Sequence, residues 1–293
     1  MTAGVKDSRT LLRESGLSPK KSFGQNFLVD ARAVQSIARA AVPDSEVGRA
    51  LVVELGAGLG ALTAELVGRA RHVTAVERDR DLVPVLARSF AEAIEHGTLS
   101  VEEADAKTID LEGLFAAARA GETRVLCGNL PYQLTGPLLE RSVQSASFIE
   151  RAIFMVQREV AERLLAEPST KEYGALTVFV RAAFEVRRVL AVGRGAFYPA
   201  PEVTSTVVEL SPCRPPRALE TETFRALVKG AFGARRKTLR NAWSALGAPR
   251  VARAAESAGI DLSARGETLD VTAFARMSDA LDGLGTDDTP PPP

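Results

Sequence analysis

The stretch from Leu51 to Thr63 most constrains the fold, because an apolar run breaks into three closely spaced glycines and then resumes in a helical pattern. Its first half, Leu-Val-Val-Glu-Leu, is typical of a strand that is buried on both faces of a parallel sheet. Gly56, Gly58 and Gly60 then permit a sharp turn and leave the backbone open to the close approach of a ligand. The stretch therefore predicts a strand, a tight turn and a helix within an α/β fold.

The spacing of these glycines differs from the dinucleotide fingerprint Gly-x-Gly-x-x-Gly, because the third glycine comes one residue early. Gly-Ala-Gly-Leu-Gly resembles the nucleoside-binding turn of S-adenosylmethionine-dependent methyltransferases. After a predicted helix over Ala61–Arg69, a β-branched run starts at His72 and ends at Glu77. A carboxylate about twenty residues beyond such glycines commonly binds ribose hydroxyls. Glu77 is therefore a candidate ribose ligand, and a solvated charge beside Arg78 is the alternative.

A third predicted strand, Leu99–Asp105, also ends in an acid. The Asp105 carboxylate either accepts a hydrogen bond from the exocyclic amine of an adenine or caps the turn that follows, and its position alone leaves both open. A helix is predicted over Leu111–Ala120. A fourth strand then starts at Arg124 and runs into the loop Asn-Leu-Pro-Tyr.

Composition excludes several classes of protein. The chain has 293 residues, of which 45% are apolar, enough to bury the cores of one large and one smaller domain. No apolar run reaches the ~20 residues that span a bilayer, so we expect no membrane partner. The cysteines, Cys127 and Cys213, form neither a disulfide framework nor a metal-ligand spacing, so we expect a cytoplasmic protein without a metal. Cys127 lies inside a predicted strand and is expected to be a core residue.

Charge and histidine content narrow the chemistry further. Lys and Arg together number 37, as do Asp and Glu, so the formal net charge of +0 excludes a uniformly basic nucleic-acid coat. A polyanion would have to bind a local basic patch. With only His72 and His96 available, histidine-based acid/base catalysis is not expected.

The loop Asn129-Leu-Pro-Tyr132 suits the chemistry of an adenine amine. That amine is a poor nucleophile because its lone pair is delocalised into the ring, and two acceptors on its N–H bonds can free the pair. The side-chain oxygen of Asn129 offers one acceptor, and the backbone carbonyl of Leu130 or Pro131 offers the second. The ring of Tyr132 can stack on a purine, and Phe197, in another proline-stiffened loop, is the candidate for a second face.

The same four residues also occur as an ordinary proline turn. Here, however, the loop follows a strand downstream of the glycine turn and of two strand-end acids. Open α/β sheets build their binding sites at the carboxyl ends of strands, where all four features are predicted to meet. Their combination favours a site.

At this point the sequence resembles the ribosomal RNA adenine N6,N6-dimethyltransferases over about residues 8 to 275. The matching motifs are Lys20-Lys-Ser-Phe-Gly-Gln-Asn-Phe-Leu28, Glu54-Leu-Gly-Ala-Gly58, Glu77, Asp105, Asn129-Leu-Pro-Tyr132, Gln157-Arg-Glu-Val-Ala161, Phe197-Tyr-Pro-Ala-Pro-Glu-Val-Thr-Ser205 and Phe232-Gly-Ala-Arg-Arg-Lys-Thr-Leu-Arg-Asn241. Small departures from the family pattern are Ala57, Phe23 and Gln133, of which only Gln133 bears on substrate preference.

The resemblance implies a role for each matched site residue. Asn26 and Leu28 are implied to close over S-adenosylmethionine, Gly56 to meet its amino-acid end, Glu77 its ribose and Asp105 its adenine. Asn129 is implied to contact both the methyl donor and the target amine.

The resemblance and the pattern together predict a Rossmann-like class I methyltransferase domain with a mostly parallel sheet, followed by a small C-terminal α-helical domain. We expect the catalytic, donor-binding domain over residues 1–212, a helical RNA-binding domain over 213–282 and a disordered tail over 283–293. The proline-rich stretch from Cys213 marks the boundary. Within these domains, 176–192 is predicted to be β-rich and 223–281 to be helical throughout.

Basic residues in two places are the candidates for RNA contacts. Lys20 and Lys21 precede the first matched loop, and a second cluster contains Arg235, Arg236, Lys237 and Arg240, the last three of which are predicted to share one helical face. A charge run is often only a solvated face. In a chain of zero net charge, phosphate contacts are the favoured interpretation.

The predicted function is the transfer of two methyl groups in succession from S-adenosylmethionine to adenine N6 in small-subunit ribosomal RNA, on two adjacent adenosines. We expect a monomer that acts on this RNA or on the immature small subunit. Three alternatives stay open from the sequence: a large-subunit RNA methyltransferase, a non-enzymatic assembly or transcription factor on the same fold, and a glutamine or DNA methyltransferase.

Overall fold

The computed structural model describes residues 8–233 and 236–284, with only the backbone of Lys21. Contacts divide the chain into two units. The sheet unit comprises the chain up to Ala161 together with Val186–Pro212, and the helical unit comprises Glu162–Glu185 together with the chain from Cys213. The boundary at 212 was expected, whereas the grouping of 162–185 with the helical unit differs from the predicted domain over 1–212.

The strands follow one another in chain order. They are β1 (Phe27–Leu28), β2 (Ala50–Leu55), β3 (His72–Glu77), β4 (Leu99–Glu103), β5 (Thr123–Asn129), β6 (Arg151–Gln157), β7 (Phe184–Val192), β8 (Phe197–Tyr198) and β9 (Ser205–Pro212).

The helices are mostly short, and several connect neighbouring strands. They are α1 (Ser8–Ser15), α2 (Ala31–Ala41), α3 (Ala61–Val67), α4 (Val83–Ser89), α5 (Ala91–Glu95), α6 (Leu111–Phe115), α7 (Thr135–Ser145), α8 (Arg158–Leu164), α9 (Ala175–Ala183), α10 (Glu222–Gly233), α11 (Leu239–Ala242), α12 (Ala248–Ala258) and α13 (Val271–Gly283).

A seven-stranded sheet has the order β4-β3-β2-β5-β6-β9-β7. The pairs β2–β3, β3–β4, β2–β5 and β5–β6 are parallel, and β9 runs antiparallel to β6. The predicted α/β fold with a mostly parallel sheet is confirmed. Because the chain leaves β2 toward β4 and then returns to place β5 on its other side, the order reverses between β2 and β5, which is where such sheets bind ligands.

The core of the sheet unit lies on the central strands. Every residue of β2 is buried, as expected for a strand with neighbours on both sides and layers on both faces. Helix α2 contributes the buried side chains of Val34 and Ile37 to the same core. Its first turn is fixed by Asp30, whose carboxylate accepts from the amides of Arg32 and Ala33.

Three predicted elements differ from the structure. The β-rich segment over 176–192 is a helix, α9, followed by the strand β7, because an apolar run such as that from Leu176 to Ala183 does not distinguish a buried helix from a strand by periodicity. The helix predicted over Leu111–Ala120 ends at Phe115, and the turn beyond it is held by Glu122, whose carboxylate accepts from the amide of Arg119. The third difference, in the helical unit, concerns the basic cluster described below.

The helical unit has a core of its own. Trp243, Phe224 and Phe274 are fully buried there, and the Trp243 indole N–H donates to the carbonyl of Leu227 at 2.8 Å. Such a bond satisfies the polar edge of a buried indole.

Of the predicted tail over 283–293, only Gly283 and Leu284 lie within the described residues, and Gly283 ends α13.

None of the helices in the described part of the chain is long and apolar enough to cross a lipid bilayer.

Candidate active site

A cavity lies at the carboxyl ends of β2, β3 and β5, within the sheet unit. The predicted donor-binding residues meet there with the catalytic loop. The lining includes Asn26, Leu28, Gly56, Glu77, Asp105, Asn129, Leu130, Pro131 and Tyr132. The structure thus brings every predicted cofactor residue, and every predicted catalytic residue except Phe197, into one place.

The glycine turn is fixed to the neighbouring strand β3. Gly56, Gly58 and Gly60 have φ angles of 76°, 59° and 83°, in the left-handed region that favours glycine. The amides of Gly56 and Ala57 both donate to the carbonyl of Val76, at 2.8 and 3.1 Å. The turn therefore presents its backbone at Gly56 and Gly58 to the cavity, whereas Gly60 packs against Phe90 and Leu86.

Glu77 is buried rather than solvated. Its Oε2 accepts from the amide of Gly58 at 2.8 Å, and its Oε1 accepts from the amide of Asp79 at 2.8 Å. Burial raises the pKa of Glu77, and the bonds from these amides lower it only in part. Because each carboxylate oxygen can accept more than one hydrogen bond, Glu77 can still receive hydroxyl groups from the cavity. The solvated alternative is thereby replaced by a carboxylate built into the turn.

Glu54 is a second buried carboxylate at the cavity, and sequence reasoning did not select it as a site residue. Its Oε2 accepts from the hydroxyl of Thr63 at 2.6 Å, and the side chain also lines the cavity. Burial raises the pKa of Glu54 to about 8, and the nearby charge of Glu77 adds to the shift. An acid inside an otherwise apolar strand was the signal that could have identified it.

We expect Glu54→Gln to flatten the pH dependence of stability. The pKa of Glu54 is about 8 in the folded protein against an ordinary 4.5, so folding favours the protonated side chain. The stability that this contributes is fully present below pH 4.5 and is lost as pH rises from 4.5 toward 8. The loss is on the order of a few kcal/mol. The introduced amide would keep the acceptor for Thr63 without the buried charge. Chemical denaturation between pH 5 and 8 measures the effect.

The matched control for that prediction is Glu92→Gln, the same change at an exposed position on α5. It should leave the wild-type slope of unfolding free energy against pH unaltered. If Glu54→Gln retains the wild-type slope as well, Glu54 does not titrate in this range.

Asp105 serves the turn that follows β4. Its Oδ1 accepts from the amide of Lys107 at 3.0 Å, and its Oδ2 lies 3.4 Å from the Arg78 guanidinium. The turn-capping alternative is therefore realised in the structure. Since Asp105 also lines the cavity, its implied contact with an adenine stays a prediction.

Residues 20–28 are here termed the strap, and Ser22–Leu28 form part of the cavity lining. The backbone carbonyl of Asn26 accepts from Nδ2 of Asn129 at 3.0 Å. Leu28 pairs with Phe197 in the antiparallel ladder of β1 and β8. Asn26 and Leu28, the two implied donor-binding residues of the strap, both line the cavity.

In the Asn129–Tyr132 loop, two oxygens can act as hydrogen-bond acceptors for a target amine: Oδ1 of Asn129 and the carbonyl oxygen of Leu130. Because Nδ2 of Asn129 donates to the strap, Oδ1 is the acceptor end of that amide. The carbonyl of Pro131 already accepts from the amide of Leu134 at 2.8 Å and from the hydroxyl of Thr135 at 3.3 Å. Among the described residues none donates to the carbonyl of Leu130, so of the two carbonyls that the sequence left open, Leu130 is the better placed.

The two predicted stacking rings differ in exposure. Tyr132 is half-buried at the cavity, and its hydroxyl lies 3.2 Å from the hydroxyl of Ser205. Phe197 is only 3% exposed, packs in the core of the sheet unit and does not line the cavity. Its neighbour Tyr198 is 39% exposed and lies under the guanidinium of Arg9. A stacking role for Phe197 stays a prediction and requires its ring to move.

The predicted RNA-binding residues lie in different surroundings. Lys20 is bonded to Asp79 and Asp81, so its ammonium is already engaged. The side chain of Lys21 and the whole of Arg235 lie outside the described residues.

The second basic cluster does not lie on one helical face, contrary to prediction. Arg236 and Lys237 are exposed in the turn after α10, and only Arg240 lies in a helix, α11. The helix is interrupted because the amides of Leu239 and Arg240 donate to the carbonyls of Ala264 and Leu262. The three cationic groups nevertheless remain exposed and close together in sequence.

Cys127 is a core residue, as predicted. It is fully buried in β5, and burial, with the charge of Glu54, raises the pKa of its thiol well above the ordinary range. Across residues 8–233 and 236–284, no three His, Cys, Asp or Glu side chains are grouped so that they could hold a metal ion.

Comparison of the sequence with known families gives a match over most of the chain. A family model described as ribosomal RNA adenine dimethylase matches residues 16–282. A ribosomal RNA small subunit methyltransferase A from Anaeromyxobacter sp. (strain K) is 42% identical over 295 residues, covering 96% of this chain and 100% of the relative. A protein of the same name from Moorella thermoacetica is 44% identical over 282 residues, covering 92% and 95%.

Solved structures share the fold. A dimethyladenosine transferase from Plasmodium falciparum superposes with a TM-score of 0.68 at 22% identity, covering 86% of this chain and 95% of its own. The 23S rRNA methyltransferase ErmE superposes with a TM-score of 0.63 at 27% identity, covering 88% and 100%. These chains therefore share the fold over most of their lengths.

Proposed function

The chain belongs to the ribosomal RNA adenine dimethylase family, and from that premise we propose that its substrate is small-subunit ribosomal RNA, in which it dimethylates N6 of two adjacent adenosines. It is an S-adenosylmethionine-dependent ribosomal RNA adenine dimethyltransferase. The small-subunit assignment is supported by the relatives at 42% and 44% identity, which carry small-subunit names. The single observation that carries the chemistry is the orientation of Asn129 in the cavity.

The cavity fits S-adenosylmethionine by its shape and by its charges. A backbone turn without side chains at Gly56 and Gly58 leaves room for the donor, and a Cβ at Gly58 would lie 3.3 Å from the ring of Phe27. The buried Glu77 carboxylate, which accepts from two backbone amides, provides negative charge for a ligand that carries a sulfonium and an ammonium. Gly56, Glu77 and Asp105 are the residues proposed to hold the amino-acid end, the ribose and the adenine, with Asn26 and Leu28 closing over them.

When bound, S-adenosylmethionine supplies an activated methyl group on its sulfonium. The chain's part is to hold the target amine. Oδ1 of Asn129 and the carbonyl of Leu130 accept from its two N–H groups, which turns the nitrogen lone pair away from the base and toward the donor. After the first transfer one N–H remains, and one of the two acceptors is enough to orient it for the second.

No strong base is required, since the leaving group is already activated and the amine proton can depart to water after transfer. Positioning is therefore the main catalytic contribution, and holding two reactants in line can contribute about 7–11 kcal/mol. Tyr132 is proposed to stack on the target adenine. Phe197 is proposed as a second face once the loop that contains it has moved.

We propose that Arg236, Lys237 and Arg240, with Arg235, contact RNA phosphates, while Lys21 remains a further candidate.

We expect Arg236→Ala to weaken RNA binding and to reduce the slope of log affinity against log salt concentration by roughly one unit, because one phosphate contact is lost. Titration of fluorescent small-subunit RNA at several salt concentrations measures the slope. Arg88→Ala, at an exposed position of α4, is the matched control and should keep the wild-type slope.

An unchanged slope for Arg236→Ala would remove that residue from the RNA interface. A slope reduced equally by both variants would indicate a general effect of net charge instead.

The setting of the reaction follows from the same proposal. We place the protein in the cytoplasm as a monomer that meets the immature small subunit, which agrees with two cysteines that are both free. Large-subunit RNA is the second candidate substrate, because ErmE, named as a 23S rRNA methyltransferase, shares the fold at 27% identity. The higher identity to proteins with small-subunit names favours the first candidate.

Transfer of radiolabelled methyl groups tests the proposal. Under-methylated small subunits, naked small-subunit RNA and large-subunit RNA are incubated with the enzyme and labelled donor, and the nucleosides are then separated. Dimethyladenosine in small-subunit RNA is the expected result. Label confined to large-subunit RNA would reassign the substrate.

A further inference from the structure

Asp79 is a buried carboxylate that the methyl-transfer chemistry does not use. It is 2% exposed, and it accepts from the Lys20 ammonium at 2.5 Å, from Nε2 of Gln25 at 2.7 Å and from the amide of Asp81 at 3.1 Å. Burial is the largest single effect and raises the pKa of Asp79, but the hydrogen bonds from Lys20, Gln25 and the Asp81 amide, with the charge of Lys20, together lower it. The group is therefore ionised at neutral pH and is held by three hydrogen bonds.

These bonds fasten one end of the strap. The amide of Lys20 donates to Oε1 of Gln25 at 2.8 Å, so the two residues that reach Asp79 also brace each other. Asp79 in turn donates its own amide to Glu77. The anchor therefore stands directly beside the carboxylate proposed to bind the ribose.

The other end of the strap is fastened by backbone pairing. Phe27 and Leu28 form β1 against β8, and the amide of Val29 donates to the carbonyl of Ala196 at 2.8 Å. Between these two anchors the carbonyl of Asn26 faces the catalytic loop. Its position is thus fixed from both sides, and the Asn26 side chain adds a hydrogen bond from Nδ2 to the carbonyl of Gly24 at 3.1 Å.

Resting on the proposed function, we propose that Asp79, Lys20 and Gln25 are positioning residues which, through the carbonyl of Asn26, set the orientation of the Asn129 amide. A carbonyl can only accept, so it selects the orientation in which Nδ2 of Asn129 faces the strap and Oδ1 is left as the acceptor for the target amine. Without the strap carbonyl, the amide can turn its N–H₂ end toward the target amine, where two donors would meet. The strap thereby fixes the acceptor that the reaction needs.

This assignment differs from the RNA contact predicted for Lys20. A cation already bonded to Asp79 and Asp81 is a poor partner for a phosphate, and the bonds to these two carboxylates raise the pKa of Lys20. The two roles make different predictions for the salt dependence of RNA binding.

The test is Lys20→Met, compared with Lys20→Arg and Arg80→Ala. Lys20→Met should lower the single-turnover rate of methyl transfer at saturating donor and RNA by about tenfold, because a misplaced acceptor impairs the reaction itself rather than binding alone. Lys20→Arg retains a cation that can reach both carboxylates and should stay within about twofold of wild type. Arg80→Ala removes an equal charge from an exposed ion pair with Glu103 and should leave the rate unaltered.

A double-mutant cycle with Asn129→Ala gives the decisive comparison. If Lys20 acts through Asn129, Lys20→Met should have no further effect on the rate once the amide is gone. Independent, multiplying losses would overturn the proposal. The proposal would also be overturned if Lys20→Met weakens the binding of S-adenosylhomocysteine, measured by calorimetry, but keeps the wild-type rate at saturation.

Two further outcomes separate this inference from its premises. A salt slope lowered by about one unit in Lys20→Met would make Lys20 a phosphate contact and would reject the anchor role. Failure of the wild type to label small-subunit RNA would reject the proposed substrate, and the cycle would then be measured on whichever ribosomal RNA accepts the methyl group. Amide hydrogen exchange of residues 20–28 in the S-adenosylhomocysteine complex checks the anchor independently of substrate: faster exchange is expected in Lys20→Met, and unchanged exchange would contradict it.

Discussion

Asn129→Ala should lower the rate of methyl transfer by about a hundredfold to a thousandfold, the range found when one preorganised hydrogen-bonding group is removed from an active site. The variant deletes the Oδ1 acceptor proposed for the target amine and leaves the carbonyl of Leu130 as the remaining partner of the amine. It also leaves the carbonyl of Asn26 without the Nδ2 group that donates a hydrogen bond to it. The affinity for S-adenosylmethionine should change only about a few-fold, because the glycine turn and Glu77 are untouched. Single-turnover transfer and calorimetry with S-adenosylhomocysteine measure the two effects separately.

Gln144→Ala is the matched control for this loss. It truncates an amide at an exposed position of α7, outside the cavity, and should retain the wild-type rate. A rate for Asn129→Ala within about tenfold of wild type would mean that the amide is not a main determinant of the reacting geometry.

Gly128→Ala should destabilise the sheet unit strongly. A Cβ at this position would lie 2.3 Å from the carbonyl oxygen of Leu55, a backbone atom of the neighbouring strand that cannot rotate away. The two strands would have to separate, at a cost of roughly 3 kcal/mol or more. We therefore expect the melting temperature to fall by about 6–12 °C, and activity to be lost because Asn129 is the next residue.

Thermal unfolding followed by circular dichroism tests that expectation, with Gly136→Ala as the matched control. Gly136 is an exposed residue of α7 with no atom within 4 Å of an added Cβ. Its replacement should be neutral or stabilise by about 0.5–1 kcal/mol, as is usual for glycine in a helix. A melting temperature for Gly128→Ala equal to that of this control would show that β2 and β5 can move apart without cost.

The sheet and the location of the site could be predicted because their determinants are local. Three local patterns each indicate a strand and its end within a few residues: the apolar run before Gly56, the β-branched run before Glu77 and the loop after β5. Parallel strands then bring those ends to one edge of the sheet, so the residues meet even though they are distant in sequence. The structure places them in one cavity, and the family comparison is consistent with the chemistry inferred from them.

What could not be predicted depends on contacts between distant segments. The bond of Lys20 with Asp79 joins parts of the chain that no pattern links, so Lys20 looked like a free cation. Phe197 is buried because β8 pairs with β1, and nothing beside Phe197 in the sequence indicates that pairing. The helix α9 was mistaken for a strand because its position in the core of the helical unit, not its periodicity, stabilises it.

The position of β2 at the centre of the sheet has a consequence for biosynthesis. Its partner β3 follows soon after it, but its other partner, β5, begins only at Thr123. A nascent chain that has not yet reached Thr123 therefore displays one unpaired edge of a largely apolar strand, the kind of edge on which chains aggregate. Pairing across so long an intervening segment is also slow. During its own translation, that edge of β2 therefore has no partner strand until the strand that ends in Asn129 has left the ribosome.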